Sequence, residues 1–215
     1  MTENDLNADA LIDCLTEFAT RFDEIYALYL DASQGFQANV KLTERSQQES
    51  RYLVSDPAEL DQLPFIFTRG NPNDPANVVL HQTTQGNFKA RNAKGGANLR
   101  LLSQYFIVLL FHLWEQEYRG RVADILRLGT PDDLKIDIMG DIRLLRNEIL
   151  KHRGVISNDT AKRLKLLGGF SEGMIISLAQ EDMEQLVRAM KAACDDLARE
   201  SAGIDPKLRT LWSVR

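Results

Sequence analysis

An almost uninterrupted apolar run in the middle of the chain places the strongest constraint on its fold. Residues 105–114 read YFIVLLFHLW, and only His112 breaks the run. Apolar residues on both sides keep a helical period, which predicts one long helix over residues 98–128. A helix that is apolar around its whole circumference must be enclosed by other helices, and we interpret His112 as a core histidine rather than a ligand. The run is about half the length of a membrane span, so we expect no membrane-spanning segment.

Three further segments have the features of helices. Apolar residues recur at steps of three and four over residues 8–31 and again over residues 181–199. Thr130, Pro131 and two acidic residues form a helix start signal, which predicts a helix that runs to His152 or Arg153. Gly154 supplies a left-handed stop. We therefore expect a mainly α fold, a bundle of four to five helices.

The remaining segments predict little regular structure. Residues 163–167 and 174–178 resemble two short strands, joined by a glycine-rich loop into a small β-hairpin. Residues 32–97 are rich in turn signals, and we expect a long, loop-rich, irregular insertion in which residues 65–67 and 78–80 are isolated strands or loop anchors. Trp212 is expected to dock the tail on the body. The prediction is a single domain over residues 1–215, with its core in residues 98–200.

Composition excludes several classes of protein. The chain has 215 residues and two cysteines, Cys14 and Cys194, so a disulfide framework is excluded and a cytoplasmic location is expected. The N-terminus has neither a basic start nor an apolar stretch, so we expect no secretory signal. The three histidines and two cysteines are too widely spread for a metal site, and no nucleotide-loop signature is present. We expect neither a metal nor a cofactor.

Charge is distributed unevenly along the chain. The net charge is −5, but residues 1–31 alone carry eight acidic side chains and one basic side chain. Residues 143–165 carry seven basic side chains and two acidic ones. This basic segment can attract phosphate groups although the whole molecule is acidic. Both clusters are equally consistent with solvated helix faces.

An arginine and a histidine lie near the end of the helix that Gly154 is expected to stop. Arg146 is followed by Asn147, and five residues separate Arg146 from His152. At about 100° per residue, His152 is within about 60° of the centre of the buried face, and Arg146 is about 100° from it. A histidine that caps the helix and an arginine that extends along the apolar face would explain this pattern without any function.

The arrangement resembles the Rx4–6H motif of the HEPN superfamily (higher eukaryote and prokaryote nucleotide-binding domains). Arg146, Asn147 and His152 match the motif, and asparagine is a common residue after its arginine. A helical bundle with the motif at the end of a late helix agrees with the family. Glu115 and Arg119 resemble an acid-and-arginine pattern that many members carry on the preceding helix. Gly154 stands where some HEPN toxins have a tyrosine, so regulation by modification of that tyrosine is not expected.

The resemblance implies metal-independent cleavage of RNA to a 2′,3′-cyclic phosphate and a 5′-hydroxyl. It implies that His152 exchanges protons, that Arg146 stabilises negative charge and that Asn147 orients the histidine or the ribose. Arg143, Lys151 and Arg153 are then candidates for binding the RNA backbone, while Glu115 and Arg119 support the site or form a surface salt bridge. Members of the family typically dimerise around one shared cleft. A bacterial toxin–antitoxin or defence system, with an antitoxin as a partner protein, is the implied setting.

Two other classes of function remain open from the sequence. A non-catalytic helical module would bind a nucleotide, RNA or a partner protein through the same basic segment. The acidic first helix would be one occupant of that segment, from the same chain or from another. A structural dimerisation domain would bind no ligand.

Overall fold

The protein is mainly helical, with one small antiparallel hairpin among the residues described. A computed structural model describes residues 3–71, 74 and 76–202. They form two compact units. The larger unit combines the described residues of Met1–Tyr29 and Leu102–Arg215, and the smaller unit consists of those in Leu30–Leu101. This confirms the predicted fold class, although several elements differ in position from those expected.

Helix α1 spans Glu3–Glu49 and is much longer than the predicted helix over residues 8–31. Within the larger unit its buried residues follow the predicted period, and Phe18 lies 5.3 Å from Trp114 and 5.2 Å from Tyr118 between ring centroids. The helix continues through Gly35, where we expected a turn. The residues beyond Gly35 are mostly good helix formers, such as Lys, Leu, Glu, Arg and Gln, and they offset the cost of one glycine.

The predicted central helix is present but contains a π-helical turn. Helix α4 spans Ala97–Leu113, the π-helical turn spans Trp114–Tyr118, and α5 spans Arg119–Ile125. The apolar run is not enclosed on all sides, because Tyr105 is 70% exposed and Leu109 is 45% exposed. The interpretation of His112 as a core histidine is wrong, since its side chain lies on this exposed side of α4.

The start signal at Thr130 does not begin the helix that carries the motif. Asp133 accepts hydrogen bonds from both the backbone N–H and the hydroxyl of Thr130, which closes a single 3₁₀ turn over Pro131–Asp133. The chain then becomes extended at Leu134 and Ile136, and α6 spans Asp137–His152. At its other end, Arg153 as well as Gly154 adopts a left-handed conformation, with φ of 56° and 77°.

The hairpin predicted over residues 163–178 does not form. Arg163 ends the short helix α7, Asn158–Arg163, and the backbone N–H groups of Lys165, Leu166 and Leu167 donate to the carboxylate of Asp141. They are therefore not free to pair with another strand. Residues 173–176 instead bond to residues 154–156, with a single bridge between Val155 and Ile175.

Most of the described residues in the range 32–97 lie in helices or strands, contrary to the expectation of a loop-rich insertion. After α1 come α2, Pro57–Gln62, the antiparallel strands β1, Pro64–Arg69, and β2, Val78–Thr84, and then α3, Gln85–Asn92. Aromatic packing holds the hairpin on α3, since the rings of Phe65 and Phe88 stack at 3.8 Å. The two apolar pieces that we expected to be isolated strands or loop anchors are thus the paired strands.

The last helix agrees with its prediction. Helix α8 spans Gln180–Ala202 and buries Met183, Leu186 and Met190 on one face. The predicted docking of Trp212 lies outside the described residues.

Candidate nucleic-acid interface

Helix α6 is amphipathic, and this fixes the placement of the motif residues. Ile138, Ile142 and Leu145 are fully buried along one face. Arg146 and Asn147 follow Leu145 at the edge of this face and are half-buried. The motif therefore begins on a well-packed helix. The burial of these apolar residues fixes the orientation of the helix in the larger unit.

Contacts on two sides hold the guanidinium of Arg146. Its Nη1 donates to Oδ1 of Asn147 at 3.0 Å. Its central carbon lies 5.6 Å from the ring centroid of Phe111 on α4, within the range of a cation–π contact. Asn147 thus contacts the arginine of the motif, whereas the resemblance implied that it orients the histidine or the ribose.

His152 lies in solvent at the end of α6. Its side chain is 60% exposed, and Nε2 is 4.0 Å from Oε2 of Glu148 one turn earlier. His152 is within about 60° of the centre of the buried face by its position on the helix, but its side chain is not buried. The helix ends at His152, so nothing of α6 continues beyond it to cover the ring.

The buried carboxylate of Glu148 is a component of this region that the sequence analysis missed. The hydroxyls of Ser157 and Thr160 both donate to Oε1 at 2.5 Å. Burial raises the pKa of Glu148, but these hydrogen bonds lower it by more, so the net pKa lies below its usual value. Oε2 is buried and accepts no hydrogen bond from the described residues. Glu148 stands four residues before His152, and this spacing was the available sequence signal that the two side chains lie close together on the helix.

Lys151 and Arg153 lie on the exposed end of the helix beside His152. Within the described part of the chain, neither side chain has an ion-pair partner. Gly154, which follows, packs closely against Gln104 on α4, because a Cβ atom at Gly154 would lie 2.6 Å from Nε2 of that residue. The same nitrogen donates to the backbone carbonyl of Ile176 at 2.8 Å, so the backbone at Gly154 is tightly packed although the three side chains before it are exposed.

Arg146 and His152 do not come together within one chain. Helical geometry separates them by about 9 Å along the axis and by about 120° around it. Each has its own neighbour, Asn147 for the arginine and Glu148 for the histidine. A single cleft that contains both functional groups therefore requires a second copy or a substrate that wraps around the helix.

Three of the other predicted residues lie together near Arg143, one turn before Arg146 on α6. Glu115, Arg119 and Arg143 line one cavity of about 230 Å³ together with Trp114 of the π-helical turn. Arg119 binds both oxygens of Glu115, at 2.9 and 3.1 Å, and Oδ1 of Asp132 at 2.9 Å. Glu115, Arg119 and Arg143 thus lie in the wall of one cavity, and in this wall Glu115 and Arg119 form an ion pair with each other.

Glu17, an acidic residue of α1, does not bind the basic segment of the same chain. Glu17 pairs with Arg121 of α5 at 2.8 Å and also accepts a hydrogen bond from the hydroxyl of Tyr118. This contact joins the acidic helix to the end of the central helix.

Two further features of the structure concern metals and membranes. In residues 3–71, 74 and 76–202, no group of three or more His, Cys, Asp and Glu side chains is arranged to hold a metal ion. One helical stretch in these ranges, Gln85–Ile125, is long and apolar enough to cross a membrane, and 33% of its most apolar window is buried. Core helices of globular proteins meet the same two criteria of length and composition.

Comparison with known proteins does not assign this chain to a family. No family model matches this chain, and neither the curated proteins nor the solved structures contain a significant match. The assignment of function therefore depends on the arrangement of the residues themselves.

Proposed function

We propose that the protein is a metal-independent endoribonuclease of the HEPN type, which acts in a bacterial toxin–antitoxin or defence system. The observation that carries the proposal is the end of α6, where Arg146 is held by Asn147 and exposed His152 stands beside a buried carboxylate. These side chains supply a fixed positive charge and a proton-exchanging group. Both are needed to cleave RNA through its own 2′-hydroxyl.

The reaction transfers two protons. The 2′-oxygen attacks the adjacent phosphorus as a base removes its proton, the bond from phosphorus to the 5′-oxygen breaks, and an acid protonates the departing oxygen. An imidazole suits either step, because it exchanges protons close to neutral pH. His152 is exposed enough to reach a substrate, and Glu148 Oε2 at 4.0 Å can fix the ring after a small rotation.

Arg146 suits stabilisation of the negative charge that develops on the phosphate. A guanidinium remains charged and can donate to two phosphate oxygens at once. The contact with Phe111 limits the motion of the side chain. Only one Arg146 nitrogen donates to Asn147, so other N–H groups of the fork remain for a ligand.

A second copy of the chain would complete the cleft. One chain supplies one His152, whereas the reaction needs an acid and a base, and Arg146 points away from the histidine of its own chain. Apolar residues are exposed on α4, at Tyr105 and Leu109, and on α6, at Leu150. We propose that these residues are part of the dimer interface.

The test is cleavage of a labelled RNA in excess EDTA by the wild-type protein and by single variants. Arg146→Ala and His152→Ala should each reduce the rate at least about 100-fold, the range typical for loss of an acid–base or charge-stabilising group. Arg188→Ala serves as the control, because it removes an exposed cation from α8. Equal cleavage by all four proteins would overturn the proposal.

A non-catalytic RNA-binding module is the second candidate. It is favoured by the separation of Arg146 from His152 and by cations near α6 that have no acidic partner among the residues that the structure describes. RNA binding without cleavage, by wild-type protein shown to be folded and dimeric, would support this candidate over the first.

A further inference from the structure

Two adjoining cavities form a groove beside the N-terminal half of α6. The first has a volume of about 230 Å³ and the second about 490 Å³. They share four lining residues, Asp137, Gly140, Arg143 and Lys165. We call this feature the α6 groove. It contains neither Arg146 nor His152.

Apolar side chains form part of the wall of the first cavity, and charged side chains, among them Glu115 and Arg119, form the rest. Phe111 and Trp114 contribute aromatic surface, and Leu134, Ile136 and Met139 contribute aliphatic surface. Trp114 belongs to the π-helical turn, an irregularity that is often found at functional sites. The flat face of an unstacked base can pack against this apolar and aromatic surface.

The second cavity is basic. It is lined by Arg143, Lys162, Arg163 and Lys165. Arg163 is paired with Asp159 at 2.8 Å, and Lys165 is paired with Asp137 at 2.6 Å. Arg143 and Lys162 are exposed and have no acidic partner within the described ranges. These two cations are therefore available to an anionic ligand.

The wall that carries the basic residues is held in place before any ligand arrives. Asp141 is 1% exposed and accepts hydrogen bonds from the N–H groups of Lys165, Leu166 and Leu167 at 2.7–3.0 Å. The Asp141 carboxylate is therefore buried beneath these residues, and its oxygens accept hydrogen bonds from their backbone N–H groups. A preformed site loses less entropy on binding than a mobile one.

We propose that the α6 groove binds a phosphate ester attached to an unstacked base. The base packs against the apolar part of the first cavity, and the phosphate binds Arg143 and Lys162. The same chemistry occurs in single-stranded RNA and in a free nucleotide. Arg143 lies about 4.5 Å along the helix axis before Arg146, so a bound strand would lead toward that residue. This last step rests on the proposed function, whereas binding in the groove does not.

The test measures the affinity for a labelled six-nucleotide single-stranded RNA by fluorescence anisotropy. The double variant Arg143→Ala/Lys162→Ala should bind on the order of tenfold more weakly than wild type. The salt dependence of its affinity should fall by about 1.4 in log–log slope, the value for two lost contacts to a single strand. The matched control is Arg188→Ala/Arg199→Ala, which removes two exposed cations from α8.

Further ligands test the two halves of the groove and the two sources of ligand. An abasic strand should bind more weakly than the complete strand. A mononucleotide that competes at similar affinity would identify a free nucleotide as the ligand, and competition by the strand alone would identify RNA. Equal binding by the double variant and its control would overturn the proposal, as would equal affinity for the abasic strand. Because His152→Ala should retain this binding, a failure of cleavage is distinguishable from a failure of the groove.

Discussion

Glu148 stabilises the end of α6 through its charge as well as its hydrogen bonds. Its side chain is 5% exposed, and both hydroxyls that donate to it belong to the segment after the helix, at Ser157 and Thr160. The carboxylate therefore joins α6 to α7. Loss of its ionised form should weaken this junction.

We predict that Glu148→Gln lowers the free energy of unfolding by about 1–3 kcal/mol at neutral pH, because a neutral amide accepts weaker hydrogen bonds. The folded-state pKa is lower than the unfolded-state pKa, so this stabilisation is present above the unfolded-state pKa. It is lost as the pH falls through the folded-state pKa. The difference between wild type and variant in urea unfolding should therefore shrink on acidification.

The control for this prediction is Glu172→Gln, an exposed residue of the loop before the 173–176 segment. This substitution should change stability little at any pH. A pH-independent difference between wild type and Glu148→Gln would contradict the account.

Gly154 is required for two separate reasons, a left-handed backbone and close packing. Its φ is +77°, and a Cβ atom would lie 2.6 Å from Nε2 of buried Gln104. We predict that Gly154→Ala destabilises the protein by about 2–4 kcal/mol, measured by urea unfolding. Gly169→Ala is the matched control, because Gly169 has φ of +87° and no atom near its Cβ position. A similar loss in both variants would show that packing against Gln104 contributes nothing.

At the scale of elements, Asp141 determines the path of the chain after α7. Its carboxylate takes the place of a strand partner for residues 165–167, and for this reason the predicted hairpin does not form there. We predict that Asp141→Ala lowers stability by about 3 kcal/mol, since three backbone donors lose their acceptor. Faster hydrogen exchange at the amides of residues 165–167 would locate the effect.

Asp159→Ala is the control for Asp141→Ala, because Asp159 forms an exposed ion pair with Arg163. Exposed pairs contribute little, so its effect should stay below about 1 kcal/mol. Unchanged amide exchange in Asp141→Ala would contradict the assigned role.

Periodicity predicted the helices with strongly patterned faces and missed elements that depend on distant contacts. The helical periods of α1, α4 and α8 were visible in the sequence, because their buried residues recur at steps of three and four. The pairing of residues 65–67 into a hairpin could not be predicted, since Phe65 of this strand stacks against Phe88 on α3, which is distant in sequence. The start of α6 was displaced because Thr130 and Asp133 satisfy each other locally within one turn.

The same limit applies to the candidate site. The positions of Arg146 and His152 on one helix followed from their spacing. The burial of the Glu148 carboxylate did not follow from the spacing, because it depends on hydroxyl donors nine and twelve residues later. The groove around Arg143 also depends on contacts between segments that are distant in sequence.

At the scale of the whole molecule, the proposed site requires two copies of the chain. We predict that Tyr105→Asp converts a dimer to monomers and reduces RNA cleavage at least about tenfold, because a charge in an apolar interface is costly to desolvate. Tyr105 is 70% exposed, so the fold of the single chain should tolerate the change. Sedimentation measures the oligomeric state.

Leu42→Asp provides the comparison, since Leu42 is 64% exposed and belongs to the smaller unit. This variant should remain dimeric and active. A dimer that survives Tyr105→Asp would contradict the proposed interface.

The most direct test of the central claim is the chemistry of the RNA ends that the protein produces. Mass spectrometry of fragments released from a mixed-sequence RNA in excess EDTA should find 2′,3′-cyclic phosphates and 5′-hydroxyls with wild-type protein. It should find intact RNA with His152→Ala. Intact RNA after incubation with folded, dimeric wild-type protein would contradict the account, and so would the same fragments from both proteins.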